Sequence, residues 1–378
     1  MRLLYLVSQP IQYQAPLLRR IAADPEINLL VLFEKMDTAG TYFDPGFQAE
    51  VTWDSALTAG YASQHVGSVA DVEKHLLDAD ALWVHGWDSL LRRRALELAR
   101  RRGVPVLMRG ENTMSAMPDG SMFRGLLKRA YLRWIFYRCS GFLCIGSDNR
   151  DYYQRHGVAD NRLFSMPYAI DNDAFADAAA QADHGALRRE LNLEPGRPVV
   201  LFAGKFQRRK NPALLLQAMQ RMDRERARRP YLIFAGDGED RSWLNQLAGT
   251  ADWVRLLGFR NQSELPALYG LADLFVMPSG REPWGLGVNE AMACGTAVIA
   301  TDECGCAGDL IDNTCGRTVP ANDGPALVSA LEDVLRDADG VATMGTAARR
   351  RMQTWSFAED LSGLKTALKA VVSTPRRA

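Results

Sequence analysis

Two short apolar runs, Leu274-Phe275-Val276-Met277 and Ala297-Val298-Ile299-Ala300, bracket a helical stretch that stops at Gly295. The pattern is strand, loop, helix, strand. Parallel strands need a crossover of this kind, and the helix must cover a face of the sheet they form. A chain built from such units folds as a doubly wound parallel sheet. Its ligands sit beyond the carboxyl ends of the strands, against helix N-termini. The loop 278–285 is therefore placed where a ligand would lie. Gly285, Leu286 and Gly287 open the helix and leave its first N–H groups uncovered, which suits a phosphate or pyrophosphate. Glu282 precedes the helix and Glu290 lies one turn inside it. Carboxylates only accept hydrogen bonds, so two of them flanking a diphosphate would repel it. They make sense gripping hydroxyls on either side of it, in the layout sugar, diphosphate, ribose.

The same alternation runs through the chain. Strands are expected at Met1–Val7, Asn28–Phe33, Ala81–Val84, Val104–Met108 and Phe142–Ile145, with helices at Pro16–Ala23, Leu90–Arg102 and Phe123–Arg138. Tyr42–Tyr61 reads as loop-rich. Polar residues gather where the strands end: Gln9 to Gln14, including Gln12 and Tyr13, then His85, Arg109, Glu111 and Ser147. Together they are expected to line a cleft. In the second half, Pro198–Ala203 runs into Gly204-Lys205, with Lys210 five residues on; Tyr231–Ala235 runs into Gly236-Asp237-Gly238, and Val254–Leu257 into Gly258-Phe259. A length of 378 residues implies two domains. The expected division is 1–172, a bridging helix in 173–195, 196–355, and a last helix at about 356–378 that crosses back to the first domain.

Lys and Arg total 45, as do Asp and Glu, so there is no global field for nucleic acid. The six Cys show no paired metal spacing and read as reduced thiols. No run approaches the ~20 apolar residues of a membrane span. A cytoplasmic protein is expected, possible contact with the inner face of the membrane included. The triplets Asp78-Ala79-Asp80, Asp171-Asn172-Asp173 and Asp337-Ala338-Asp339 have no supporting context, so no metal is assigned. Residues 92–138 carry twelve Lys and Arg against three Asp and Glu. Phe123, Leu126, Leu127, Ala130, Tyr131 and Trp134 recur there at helical spacing. Either this stripe packs on the sheet with the charges solvated, or the segment is a face for a membrane or an anionic acceptor.

Glu282 and Glu290, set in Glu-Pro-Trp-Gly-Leu-Gly and Glu-Ala-Met-Ala-Cys-Gly-Thr, resemble the signature of the family 4 retaining glycosyltransferases of the GT-B fold. The resemblance extends to Lys205 and Lys210, to Pro167–Phe175 between the domains, and to 347–356; the first half matches loosely. It implies two Rossmann-like doubly wound domains facing across a cleft. It also implies sugar transfer from a nucleoside-diphosphate sugar, UDP favoured, to an acceptor hydroxyl, with retained configuration and no metal or other cofactor. Glu282 would hold the sugar, Glu290 the ribose, and Lys205 and Lys210 the diphosphate. Gly204, Gly236, Gly238, Gly258, Phe259, Trp284, Gly285, Leu286 and Gly287 would complete the donor site. Gln12, Tyr13, His85, Arg109 and Glu111 would meet a sugar, lipid-linked sugar or small-molecule acceptor. Two other readings use the same scaffold: a nucleotide-sugar 2-epimerase, and a non-catalytic nucleotide-sugar-binding subunit.

Overall fold

A computed structural model describes residues 1–118, 122–222 and 229–373. In chain order the strands are β1 (Arg2–Val7), β2 (Asn28–Phe33), β3 (Tyr42–Asp44), β4 (Ala49–Val51), β5 (Ala62–His65), β6 (Ala81–His85), β7 (Val106–Arg109), β8 (Gly141–Cys144), β9 (Leu163–Ser165), β10 (Val199–Ala203), β11 (Tyr231–Ala235), β12 (Val254–Gly258), β13 (Leu274–Met277), β14 (Ala297–Thr301) and β15 (Gly316–Val319). They are shared between two compact units.

The first unit comprises residues 1–42, 55–168 and 356–378. Its sheet has the order β5-β2-β1-β6-β7-β8-β9, with parallel pairing throughout. The central strands are continuous apolar runs, buried from end to end at Leu3–Val7 and Ala81–Val84. Parallel strands covered by helices on both faces take that pattern. The helix Leu90–Arg101 starts at Ser89, whose hydroxyl accepts from Arg92 N. The helix Phe357–Val372 starts with a reciprocal capping box between Ser356 and Glu359 and packs on β8 and β9. It belongs to this unit; residues 374–378 of the expected last helix lie outside the described residues.

The second unit comprises residues 43–54 and 169–355. Its sheet has the order β12-β11-β10-β13-β14-β15, again parallel throughout. The crossover between β13 and β14 is the helix Leu286–Ala293, buried along most of its length.

Four expectations need correction. The stretch 42–61, read as loop-rich with no strand, contains β3 and β4, which pair as a two-stranded sheet. With only residues 45–48 between them they form a hairpin. Residues 43–54, placed with the first domain by chain order, group with the second unit. The bridging segment 173–195 holds two helices, Asn172–Gln181 and His184–Glu190, capped by Asp171 and Asp183. Both pack on Leu265–Leu271 as part of the second unit. Within the basic segment, of which 119–121 lie outside the described residues, the helix Met122–Phe136 buries Leu132, Ile135 and Phe136. Of the two readings of the stripe, packing on the sheet fails: Phe123, Leu126, Leu127, Tyr131 and Trp134 all face solvent. The helix is apolar on two sides, so spacing alone could not show which side the core takes.

Candidate functional site

In the second sheet the chain runs from β10 outward to β11 and β12, then returns to the other side of β10 for β13, β14 and β15, so the order reverses between β10 and β13. That is the switch point where doubly wound sheets open a crevice. The two loops beside it are 204–210, after β10, and 278–285, after β13. Lys210 Nζ forms an ion pair with Glu282 Oε2, and Arg209 Nη1 lies 3.2 Å from the same oxygen. Glu282 is 9% exposed, so two cations hold one nearly buried carboxylate. Glu290 is 8% exposed; it accepts from Tyr269 Oη at 2.7 Å and from Gln262 Nε2 at 3.3 Å. Burial pushes its carboxyl up to about 7, against the pull of Tyr269, Gln262 and the Lys210 charge. Lys210 thus acts on both carboxylates. The helix Leu286–Ala293 begins at Gly285, with Leu286 and Gly287 in its first turn.

Other expected donor residues are placed differently. Lys205 does not join Lys210 on Glu282; its Nζ lies 2.8 and 3.0 Å from the two carboxylate oxygens of Asp44. Gly204 and Gly236, in the turns after β10 and β11, meet backbone to backbone. A Cβ on Gly236 would stand 1.9 Å from the Gly204 carbonyl oxygen, so no side chain fits there. Gly238 follows in the same turn. Gly258 ends β12, and Phe259 beyond it is covered by Phe47 and Trp53, with ring centroids 4.9 and 5.8 Å away. Trp284 is 2% exposed, stacks on Trp355 and donates to Asn289 Oδ1 at 2.9 Å. That makes it a packing residue rather than a surface for a ligand: a large apolar ring next to Gly285 is worth more buried than offered to water.

The switch point of the first sheet lies between β1 and β6. Gln12 and Tyr13 follow β1, and His85 ends β6 beside Arg109 of β7. His85 Nδ1 lies 3.1 Å from Tyr5 Oη and 3.5 Å from Gln14 Nε2. Burial, with the charges of Arg109 and Arg92 adding to it, drives the imidazole down to about 3, so the ring is neutral at physiological pH. Tyr168 Oη donates to Glu111 Oε1 at 2.5 Å, and Tyr13 packs edge-on against Tyr168. Arg109 is the exception. It is 2% exposed, and its Nη2 reaches Met166 O, Pro167 O and Asp360 Oδ1, each at 3.2 Å. The final helix carries Asp360 over the sheet, so Arg109 serves the interior and is not offered to an acceptor.

Sequence reasoning missed Arg209, Gln262 and Tyr269 as partners of the two glutamates. The triplet Arg208-Arg209-Lys210 was the available signal for the first. Asp44, Phe47 and Trp53 had none, because they reach the second unit from more than a hundred residues away in the chain.

Residues 183–351 match the family of glycosyl transferases group 1. The D-inositol 3-phosphate glycosyltransferase of Salinispora arenicola is 32% identical over 227 residues, 57% of this chain and 51% of that one. The GDP-mannose-dependent alpha-(1-6)-phosphatidylinositol monomannoside mannosyltransferase of Mycolicibacterium smegmatis is 31% identical over 226 residues, 55% of this chain and 58% of that one. The chain thus spans little more than half the length of these curated relatives. Among solved structures, HepE of Anabaena in complex with UDP and glucose superposes with a TM-score of 0.74 at 17% identity, covering 98% of this chain and 100% of that one. That likeness shows the fold, two Rossmann-like domains of the GT-B class.

Proposed function

We propose that this chain, whose residues 183–351 match the glycosyl transferases group 1 family, is a retaining glycosyltransferase. Its donor would be a nucleoside-diphosphate sugar, with UDP favoured, and its acceptor a hydroxyl of a sugar, a lipid-linked sugar or a small molecule. One observation carries the reading: the loops at the β10/β13 switch point bring Lys210, Arg209, Glu282 and Glu290 into one constellation. The bond from the anomeric carbon to the β-phosphate oxygen breaks as the acceptor oxygen attacks from the same face. The acceptor proton passes to the departing phosphate. Charge builds on the leaving diphosphate, and preorganised cations at that point are worth most in the transition state. Lys205 and Lys210 fill this role, so activity is expected to survive EDTA. Glu282 holds sugar hydroxyls and Glu290 the ribose. Gln12, Tyr13, His85 and Glu111 of the first unit would orient an acceptor.

Donors labelled in the sugar, offered across a panel of nucleobases with candidate acceptors, test the reading. Label moved to an acceptor with its anomeric configuration kept supports it. A nucleotide sugar isomerised at the second carbon of its sugar points to the epimerase, and binding without turnover to a non-catalytic subunit.

A peripheral membrane contact belongs to the same reading. The helix Met122–Phe136 exposes Phe123, Leu126, Leu127 and Trp134, and Arg138 lies 3.7 Å from the centre of the Trp134 ring. Aromatic and aliphatic side chains among arginines suit an anionic lipid surface. No helix of the described residues is long and apolar enough to cross a membrane. Sedimentation with phosphatidylglycerol vesicles, but not with phosphatidylcholine vesicles, is the expected result.

A further inference from the structure

The hairpin 43–54 lies along the ligand-binding edge of the second sheet, across the carboxyl ends of three neighbouring strands. Beyond β12, Asn261 Nδ2 donates to Thr52 O at 2.7 Å and Ser263 N donates to Asp54 Oδ2 at 3.1 Å. Trp53 and Phe47 cover Phe259 from there. Beyond β11, the Gly46 carbonyl oxygen comes so near Gly238 that a Cβ there would stand 3.0 Å from it. Beyond β10, the Asp44 carboxylate takes Lys205 Nζ with both oxygens, at 2.8 and 3.0 Å. The Phe47 ring centre lies 4.8 Å from the same ammonium. The strip ends at the switch point.

Asp44 is itself well held. Its Oδ1 accepts from Gly46 N at 2.7 Å and from Phe47 N at 3.1 Å, which closes the hairpin turn. Burial disfavours its charge, but Lys205 and the two amides outweigh that and keep its carboxyl below the ordinary range. The partner it has taken is one of the two lysines read as holding the diphosphate. A carboxylate and a phosphate compete for the same donors, since neither has a proton to share at neutral pH. Both around one ammonium would leave excess negative charge in a half-buried place.

We infer that Asp44 is a competing internal ligand of Lys205 that sets the affinity for a diphosphate: the donor must take Lys205 from Asp44, and the hairpin turn must yield as it does so. The inference rests on the proposed donor site and adds a residue to it. It makes the proposed site among residues 204–290 depend on the hairpin 43–54, far earlier in the chain.

The test uses calorimetry with inorganic pyrophosphate and with UDP, on the full chain. Asp44→Asn keeps the side-chain oxygen that closes the turn and removes the charge. It is expected to bind pyrophosphate and UDP at least about fivefold tighter than the wild type, as a charge-assisted contact exchanged for a neutral one implies. Uridine affinity should not change. The gain should vanish in Asp44→Asn combined with Lys205→Ala. Phe47→Ala, which loosens the hairpin and keeps Asp44, should also tighten pyrophosphate and decides the matter if Asp44→Asn is poorly folded by its melting temperature. Unchanged or weaker pyrophosphate binding by the folded variants overturns the inference. If UDP still binds and is weakened by Lys210→Ala, the donor site stands without it. If neither the wild type nor any variant binds pyrophosphate or a nucleoside diphosphate, the donor site fails as well.

Discussion

Replacing Glu290 with Gln should make the protein more stable, and increasingly so as the pH rises. Glu290 ionises in water at 4.5 and in the folded protein at about 7, because burial opposes its charge. A carboxyl whose folded value is raised binds its proton more tightly when folded. Its favourable contribution is therefore full below about 4.5 and is lost as the pH climbs through about 7. Taking about 1.4 kcal/mol per unit, the ionisable side chain costs the fold about 1 kcal/mol near pH 5 and about 3 kcal/mol near pH 8.5. Gln fits the same partners, with its oxygen accepting from Tyr269 or Gln262, and has nothing to titrate. The stability of Glu290→Gln relative to the wild type should thus grow by roughly 2–3 kcal/mol between those two pH values. Urea unfolding of both proteins at pH 5, 7 and 8.5 measures the growth. Asp360 is also raised to about 7 but belongs to both proteins, so it cancels in the difference. The same substitution should weaken nucleotide binding, since an ionised Glu290 is the better acceptor for ribose hydroxyls. Wild-type affinity should accordingly rise through about pH 7, and that rise should be missing in Glu290→Gln. A stability gap that is flat or shrinks with pH would refute the reasoning: the side chain would then be solvated, not buried against Tyr269.

Lys210→Ala should lower turnover at saturating donor by roughly 10²–10³, the usual loss for one transition-state stabiliser; retention of a tenth of wild-type turnover or more would remove it from that role. Glu282→Ala should weaken the intact donor and spare the free nucleoside diphosphate, while Glu290→Ala weakens both, as calorimetry with the two ligands on each variant would show. Asp360→Ala should cost about 3–5 kcal/mol by stranding the Arg109 charge in the interior, whereas Arg109→Met with Asp360→Leu should recover most of it in urea unfolding. Equal instability of the single and double variants would mean that the packing of the final helix matters there and the charge pair does not.

The alternation of apolar runs with helical stretches determined both sheets, because a buried parallel strand can be nothing but a short apolar run between turns. Runs such as Leu3–Val7, Val199–Ala203 and Leu274–Met277 could be read directly. The edge strands could not: Ala62–His65 is largely exposed and Leu163–Ser165 spans three residues, so neither carries a pattern. The two loops of the candidate site were equally legible. Phosphate chemistry needs uncovered backbone and cations, and both occur as contiguous residues, in 204–210 and 282–290. What the sequence could not decide was which side chain meets which. Trp284 sits inside the donor motif yet turns to Trp355. Arg109 sits at a strand end yet serves Asp360, which lies 251 residues away in the chain. Lys205 and Lys210 share a loop but have different partners, Asp44 and Glu282. An ion pair leaves no mark on the sequence near either member. A long-range pairing exists only once the sheets have formed and carried distant loops to one edge, and the tertiary structure alone settles it.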